Sequence, residues 1–202
     1  MRIILVHGFN ASPEMNFHPW LAEQLRGQGH EVLTPTLPLS TKEEIDVPTI
    51  IEAMKEQVGY LKNEDILLGH SLGAFVILQY LEAVEMTETP RAVVLVGAPW
   101  KVKNPTLRRL FLADLDADVL MWKAREFVVV HSEDDTLVPF EHGKKLSERL
   151  KARLVSSKED GHFMEGEYPV LLETVAEIVG RPFEYEPGMA LKDDYIGIDT
   201  LS

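Results

Sequence analysis

Ser71 stands between two glycines in ILLGHSLGAF, residues 66–75. A serine hydroxyl is a weak nucleophile at neutral pH. It needs a base to take its proton and a third group to orient that base. The pattern Gly-x-Ser-x-Gly arises by chance in roughly one chain in fifteen of this length, so its setting must decide. Three apolar residues precede it and a long apolar run follows, as a sharp strand-to-helix turn requires. At such a turn the serine is lifted clear of a sheet and the helix start offers free N–H groups. Gly69 and Gly73 then have steric jobs, because side chains there would collide with the turn or a neighbouring strand. The plainer alternative is a helix N-cap, but a cap needs neither glycine.

The partners should come later in the chain. Of seven histidines, His162 in KEDGHFMEGEYP lies between the last expected strand and the last expected helix, on a loop that opens at the same sheet edge as Ser71. A solvated loop histidine is the alternative. His30 and His142 read as exposed, His131 ends a strand, and His7 and His70 flank the site with backbone roles. FVVVHSEDDTLVPF offers Glu133, Asp134 and Asp135 after the preceding strand. Asp135 is favoured because Val138 and Pro139 would fix its loop, with Asp134 the main competitor. Negative charge on a substrate oxygen needs preorganised N–H donors. Leu72 follows the serine, and Phe9 in VHGFNAS follows the first strand, so their backbone N–H groups are the candidate oxyanion hole. An ordinary tight turn is the alternative for His7-Gly8.

These residues need a scaffold. Short apolar runs at Ile3 to Val6, Ile66 to Leu68, Ala92 to Val96 and Phe127 to Val130 suit strands buried on both faces. Weaker strands are expected at Glu31 to Thr34 and Arg153 to Val155. Helical stripes run through Ile50, Met54, Val58 and Leu61, and through Leu171, Val175, Ile178 and Val179. Leu72 to Val84 is apolar almost all round and reads as a buried central helix. Strand and helix thus alternate about six times, which predicts an α/β three-layer sandwich with a parallel sheet and helices on both faces.

The 202 residues fit one domain, expected at 1–180, followed by an acidic C-terminal tail at 181–202 that loses periodicity. With 33 acidic and 20 basic residues the net charge is -13, so phosphate backbones and anionic lipid surfaces repel the chain. Nucleic acid and membrane partners are not expected. No cysteine is present, which excludes disulfides and thiolate chemistry. The opening MRIILVHGF lacks a signal-peptide pattern, and a soluble cytoplasmic protein is expected. HGFNAS lacks the dinucleotide fingerprint, and HSEDD has no second histidine at helical spacing for a metal. Cofactors and metals are therefore not expected.

VHGFN, GHSLG, DTLVP and DGHF together resemble the α/β-hydrolase superfamily, whose triad runs Ser, Asp, His along the chain. To about Gly180 the chain is more closely similar to the small lidless serine hydrolases of the YdeN and retinoblastoma-binding-protein type, through HGFNASPEMNFHPWLAEQL, GHSLG, DDTLVPF and GHF. The resemblance implies a reduced α/β-hydrolase fold of about six parallel strands in the order 2-1-3-4-5-6. It implies Ser71, Asp135 and His162 as the triad, with Phe9 and Leu72 giving the oxyanion hole. Only Pro99 to Arg125 is free to form a cap, so a shallow, open site is expected. Phe9, His18, Trp20, Trp100 and Phe163 could line an apolar pocket, whereas Trp122 reads as core.

The expected function is a serine hydrolase, a carboxylesterase for small or short-acyl esters working through an acyl-enzyme on Ser71. The alternative is a non-catalytic or weakly active protein-interaction module on a hydrolase scaffold.

Overall fold

An extended chain sends successive side chains to opposite sides, so an unbroken apolar run needs cover on both. In the computed structural model, which describes residues 1–40, 46–101, 107 and 115–181, that cover is present. In β1 (Arg2–Val6), Ile4 and Val6 join one apolar cluster while Ile3 and Leu5 join another. In β3 (Ile66–His70), β4 (Ala92–Val96) and β5 (Glu126–Ser132) the same alternation holds. The two edge strands, β2 (Glu31–Leu33) and β6 (Arg153–Ser157), are more polar and only partly buried, because each has a neighbour on one side only.

The six strands form one parallel sheet in the order β2-β1-β3-β4-β5-β6, as the resemblance implied. On one face lie α1 (His18–Gly27) and α6 (Pro169–Gly180), which bring Leu21, Leu25, Leu171, Val175 and Ile178 onto the sheet. On the other lie α2 (Val47–Val58), α3 (Leu72–Ala83) and α5 (Glu141–Leu150), with the single-turn α4 (Ala117–Leu120) beside them. The helix α3 is buried from Leu72 to Leu81, so the turn at its start is anchored along three turns of packed side chains.

Leu61 belongs to the core as its spacing predicts, but beyond the end of α2. Trp122 does not: it is 64% exposed, because α4 ends just before it and leaves its ring outside the helical layer. The expected short cap falls largely on residues 102–106 and 108–114, and the acidic tail on 182–202, outside the described residues. No helix among the described residues is long and apolar enough to cross a membrane.

Parallel strands aim all their carboxyl ends the same way. Ser71 follows β3, Asp135 follows β5 and His162 follows β6. The topology therefore delivers three distant segments to one edge.

Candidate active site

The turn after β3 is strained where chemistry is expected. Ser71 has φ 53° and ψ -120°, a conformation that costs a non-glycine residue on the order of 1–3 kcal/mol. Its N–H donates to the Val96 carbonyl at 2.8 Å, which ties the turn to β4. A Cβ on Gly69 would lie 2.5 Å from Ala74 Cα, and one on Gly73 would strike the His7 carbonyl oxygen. Both glycines are therefore steric necessities. Ser71 precedes α3 but makes no side-chain cap; its hydroxyl is used elsewhere.

That hydroxyl meets His162. Ser71 Oγ lies 2.9 Å from His162 Nε2, and His162 Nδ1 lies 2.7 Å from Asp135 Oδ2. A carboxylate only accepts, so Nδ1 carries the proton and Nε2 is free to receive one from Oγ. Main-chain N–H groups hold the second carboxylate oxygen: Leu137 and Val138 donate to Asp135 Oδ1 at 2.9 and 2.8 Å. Burial by itself would raise the Asp135 pKa, but hydrogen bonds from His131, His162 and Val138 outweigh it and hold the group well below the usual carboxylate range.

Asp134 points elsewhere. Its Oδ1 accepts from the Ser132 hydroxyl and from Gly161 N, the latter at 2.9 Å, and these two bonds, the Ser132 bond first, lower its pKa. It ties the β5 loop to the loop that carries His162.

His131 is a partner that the sequence did not single out. It is fully buried at the end of β5. Its Nε2 donates to the Val138 carbonyl at 2.8 Å and lies 3.5 Å from Asp135 Oδ2. The signal was available as a strand-end histidine four residues before the acid, but nothing in the sequence fixed the direction of its side chain.

The loop after β1 closes the other side. His7 Nδ1 donates to the Gly8 carbonyl at 2.9 Å, and its Nε2 accepts from Leu37 N at 3.0 Å. Asn10 N donates to the Leu39 carbonyl at 2.7 Å. Pinned in this way, the loop places Gly8 and Phe9 beside Ser71 and Leu72 in the wall of one cavity of about 670 Å³.

Leu107, Leu137, Val138, Pro139 and Met164 supply most of the remaining apolar wall, and Lys101 and His142 also contribute to it. Four aromatic candidates do not line it. His18 is fully buried, stacked on Phe17 at 4.5 Å. Trp20 packs against the core cluster on the α1 face. Trp100 packs against the opposite cluster, and its main-chain N–H donates to His142 Nδ1 at 2.9 Å. Phe163 is fully buried against Tyr168 and anchors the loop from below. His142, read as exposed, is half-buried in the cavity wall.

A family model described as serine hydrolase matches residues 3–170. The chain belongs to the serine hydrolase family. Among the relatives of this serine hydrolase is YdeN, named as a hydrolase, of Bacillus subtilis (strain 168). It is 28% identical over 192 residues, which cover 92% of this chain and 97% of YdeN. Serine hydrolase RBBP9 of Rattus norvegicus is 22% identical over 187 residues, covering 88% of this chain and 95% of its own. The crystal structure of the ydeN gene product from B. subtilis matches this serine hydrolase with a TM-score of 0.81 at 24% identity, over 89% of this chain and 99% of that one. Est1E from Butyrivibrio proteoclasticus, in its ferulic acid complex, matches with a TM-score of 0.66 at 16% identity, over 88% and 87% of the two chains. These structures share the serine hydrolase's α/β-hydrolase fold.

Proposed function

We propose that this hydrolase is a carboxylesterase acting on small or short-acyl esters through an acyl-enzyme on Ser71. The observation that carries the proposal is the continuous chain from Asp135 through His162 to Ser71, with contacts of 2.7 and 2.9 Å. Ser71 Oγ attacks the ester carbonyl while its proton passes to His162 Nε2. The ring becomes an imidazolium, stabilised by the Asp135 carboxylate on Nδ1. The carbonyl oxygen takes up negative charge beside Phe9 and Leu72, whose backbone N–H groups are the proposed donors. Each such donor contributes about 3–4 kcal/mol in enzymes of this type.

As the tetrahedral intermediate collapses, the C–O bond to the alcohol breaks and Nε2 returns its proton to the departing oxygen. Water then repeats the attack on the acyl-serine, giving up its proton to Nε2, and the carboxylic acid leaves with Ser71 restored. A cavity of about 670 Å³ falls within the size range of small-molecule sites, and its largely apolar wall favours an uncharged acyl group.

The test is turnover of short p-nitrophenyl esters, with labelling by a fluorophosphonate, in the wild type, Ser71→Ala and His162→Ala. Both variants are expected to lose at least about 10³-fold in kcat, and Ser71→Ala all labelling. Equal rates in all three proteins would overturn the proposal and favour a binding module.

A further inference from the structure

His70, immediately before the serine, reaches across to the loop that carries His162. Its Nε2 donates to the His162 main-chain oxygen at 2.8 Å, a bond between residues 92 apart in sequence. Ser71 Oγ meets the ring of the same histidine at 2.9 Å. Two successive residues of the turn thus grip one histidine by its main chain and by its side chain. We propose that His70 is a positioning residue, which sets the main chain of His162 relative to Ser71 and so the distance over which the proton moves. This rests on the reading of Ser71, His162 and Asp135 as the reacting groups.

The loop has other ties, but they come from a different strand. Asp160 N donates to Ser132 Oγ at 3.1 Å and Gly161 N to Asp134 Oδ1 at 2.9 Å, both at the end of β5. Those bonds place the base relative to its acid. His70 belongs to β3, the strand that presents the nucleophile, and its bond places the base relative to Ser71. A movement of the turn therefore carries His162 with it.

The ring of His70 is itself held rigidly. It is 1% exposed, with Phe17 edge-on at 5.2 Å and the His162 ring at 5.1 Å between centroids. The carbonyl it binds fixes the proton on Nε2. Burial, and then the neighbouring His162, push its pKa down to about 3, so at neutral pH it donates without carrying charge. A charged ring at that distance would oppose the imidazolium that forms on His162.

His70→Gln and His70→Met separate the donor from the shape. The two side chains are unbranched and similar in size, and only glutamine can donate to the His162 carbonyl. The expected result is a kcat for His70→Met lower by about 10–100-fold with KM within about twofold, since misplacement by about 1 Å costs about that much. His70→Gln is expected within about fivefold of wild type. The rate of fluorophosphonate labelling should fall in parallel, and the far-downfield proton resonance of the His162–Asp135 bond should shift in His70→Met alone. Thermal unfolding of each variant reports stability separately.

Equal losses in the two variants, or a wild-type kcat in a folded His70→Met, would overturn the inference. If His70→Met does not fold, His70→Leu takes its place as the non-donor. If neither non-donor folds while His70→Gln keeps its rate, His70 is a folding residue and the inference fails. An active Ser71→Ala would instead sink the underlying reading of the triad.

Discussion

Gly97 lies against the ring of His162. It follows β4, adopts φ +54°, and a Cβ built on it would stand 3.2 Å from His162 Nδ1, 3.3 Å from Cε1 and 3.6 Å from Asp135 Oδ2. The end of β4 thus contributes a surface without a side chain, on which the bond between His162 and Asp135 rests. Gly97→Ala combines an unfavourable positive φ with pressure on that bond. The expected outcome is a kcat lower by about 10–100-fold and a stability loss of about 1–2 kcal/mol. Ester turnover and urea unfolding check the two effects independently. An unchanged kcat would show that the ring accommodates the methyl group.

The neighbouring carboxylates should separate sharply. Asp135→Asn keeps the shape but can no longer hold His162 in the tautomer that accepts from Ser71, and kcat is expected to fall by about 10³–10⁴-fold with KM little changed. Asp134→Asn keeps an oxygen for Gly161 N and is expected to cost less than about tenfold. Steady-state kinetics on both variants decides the matter. Comparable losses would mean that the inter-loop tie matters as much as the acid.

Acid should destabilise the fold through its buried histidines. Burial above all pushes His18 down to about 4 and His70 down to about 3, whereas an imidazole in the unfolded chain titrates near 6.5. Below about pH 6.5 the unfolded chain takes up protons that the native one refuses, so stability falls as pH falls. The loss continues to about pH 4 for His18 and about pH 3 for His70, where the native rings also protonate. Each ring contributes a slope of up to about 1.4 kcal/mol per pH unit in that window. Asp135 shifts in the same direction, with the same consequence lower down: its depressed pKa stabilises the fold above about pH 4, and that contribution fades as pH drops further. Denaturant unfolding at pH 6.5, 5.5 and 4.5 should show a steep decline, shallower in His18→Phe by about one proton. An unchanged slope would remove His18 from the account.

At the amino ends of the strands, just before β3, Asp65 is expected to serve stability and not the chemistry. It accepts from Arg2 Nε at 2.9 Å, from a second Arg2 nitrogen, and from Lys62 N at 2.8 Å, with its side chain almost fully buried. Removing one member of a buried pair strands the other charge, at a cost of about 3–5 kcal/mol. Asp65→Asn is therefore expected to lower the unfolding midpoint strongly while kcat, measured well below that midpoint, stays within about twofold. A large drop in kcat would reveal coupling along the strands.

Local demands were the most legible in the sequence. The turn at Ser71 needs a strand, two glycines and a helix in contiguous residues, so the order of residue types already spells it out. The runs at Ile3, Ala92 and Phe127 were equally plain, because strands covered on both faces have no polar face to obscure them. What depended on side-chain direction was not legible. Asp134 and Asp135 are adjacent, and what distinguishes them is their hydrogen bonds, from His162, Leu137 and Val138 to Asp135 and from Ser132 and Gly161 to Asp134. An aromatic residue in a loop can face the cavity or the core. Phe9 faces the cavity, whereas His18 and Phe163 turn inward because Phe17 and Tyr168 offer them apolar partners.

The contact between Ser71 and His162 joins residues 91 apart, and it exists only when β4, β5 and β6 have been laid down in order beside β3. Long-range parallel pairing is the slow part of folding, because loop closure is costly before contacts reward it. A partly assembled chain can already have its apolar helices packed, yet its Ser71 lacks the contact with His162 on which the proposed chemistry depends. On the proposed triad, reactivity is expected to arrive last, so recovery of fluorophosphonate labelling during refolding would report completion of the outer strands rather than collapse of the core.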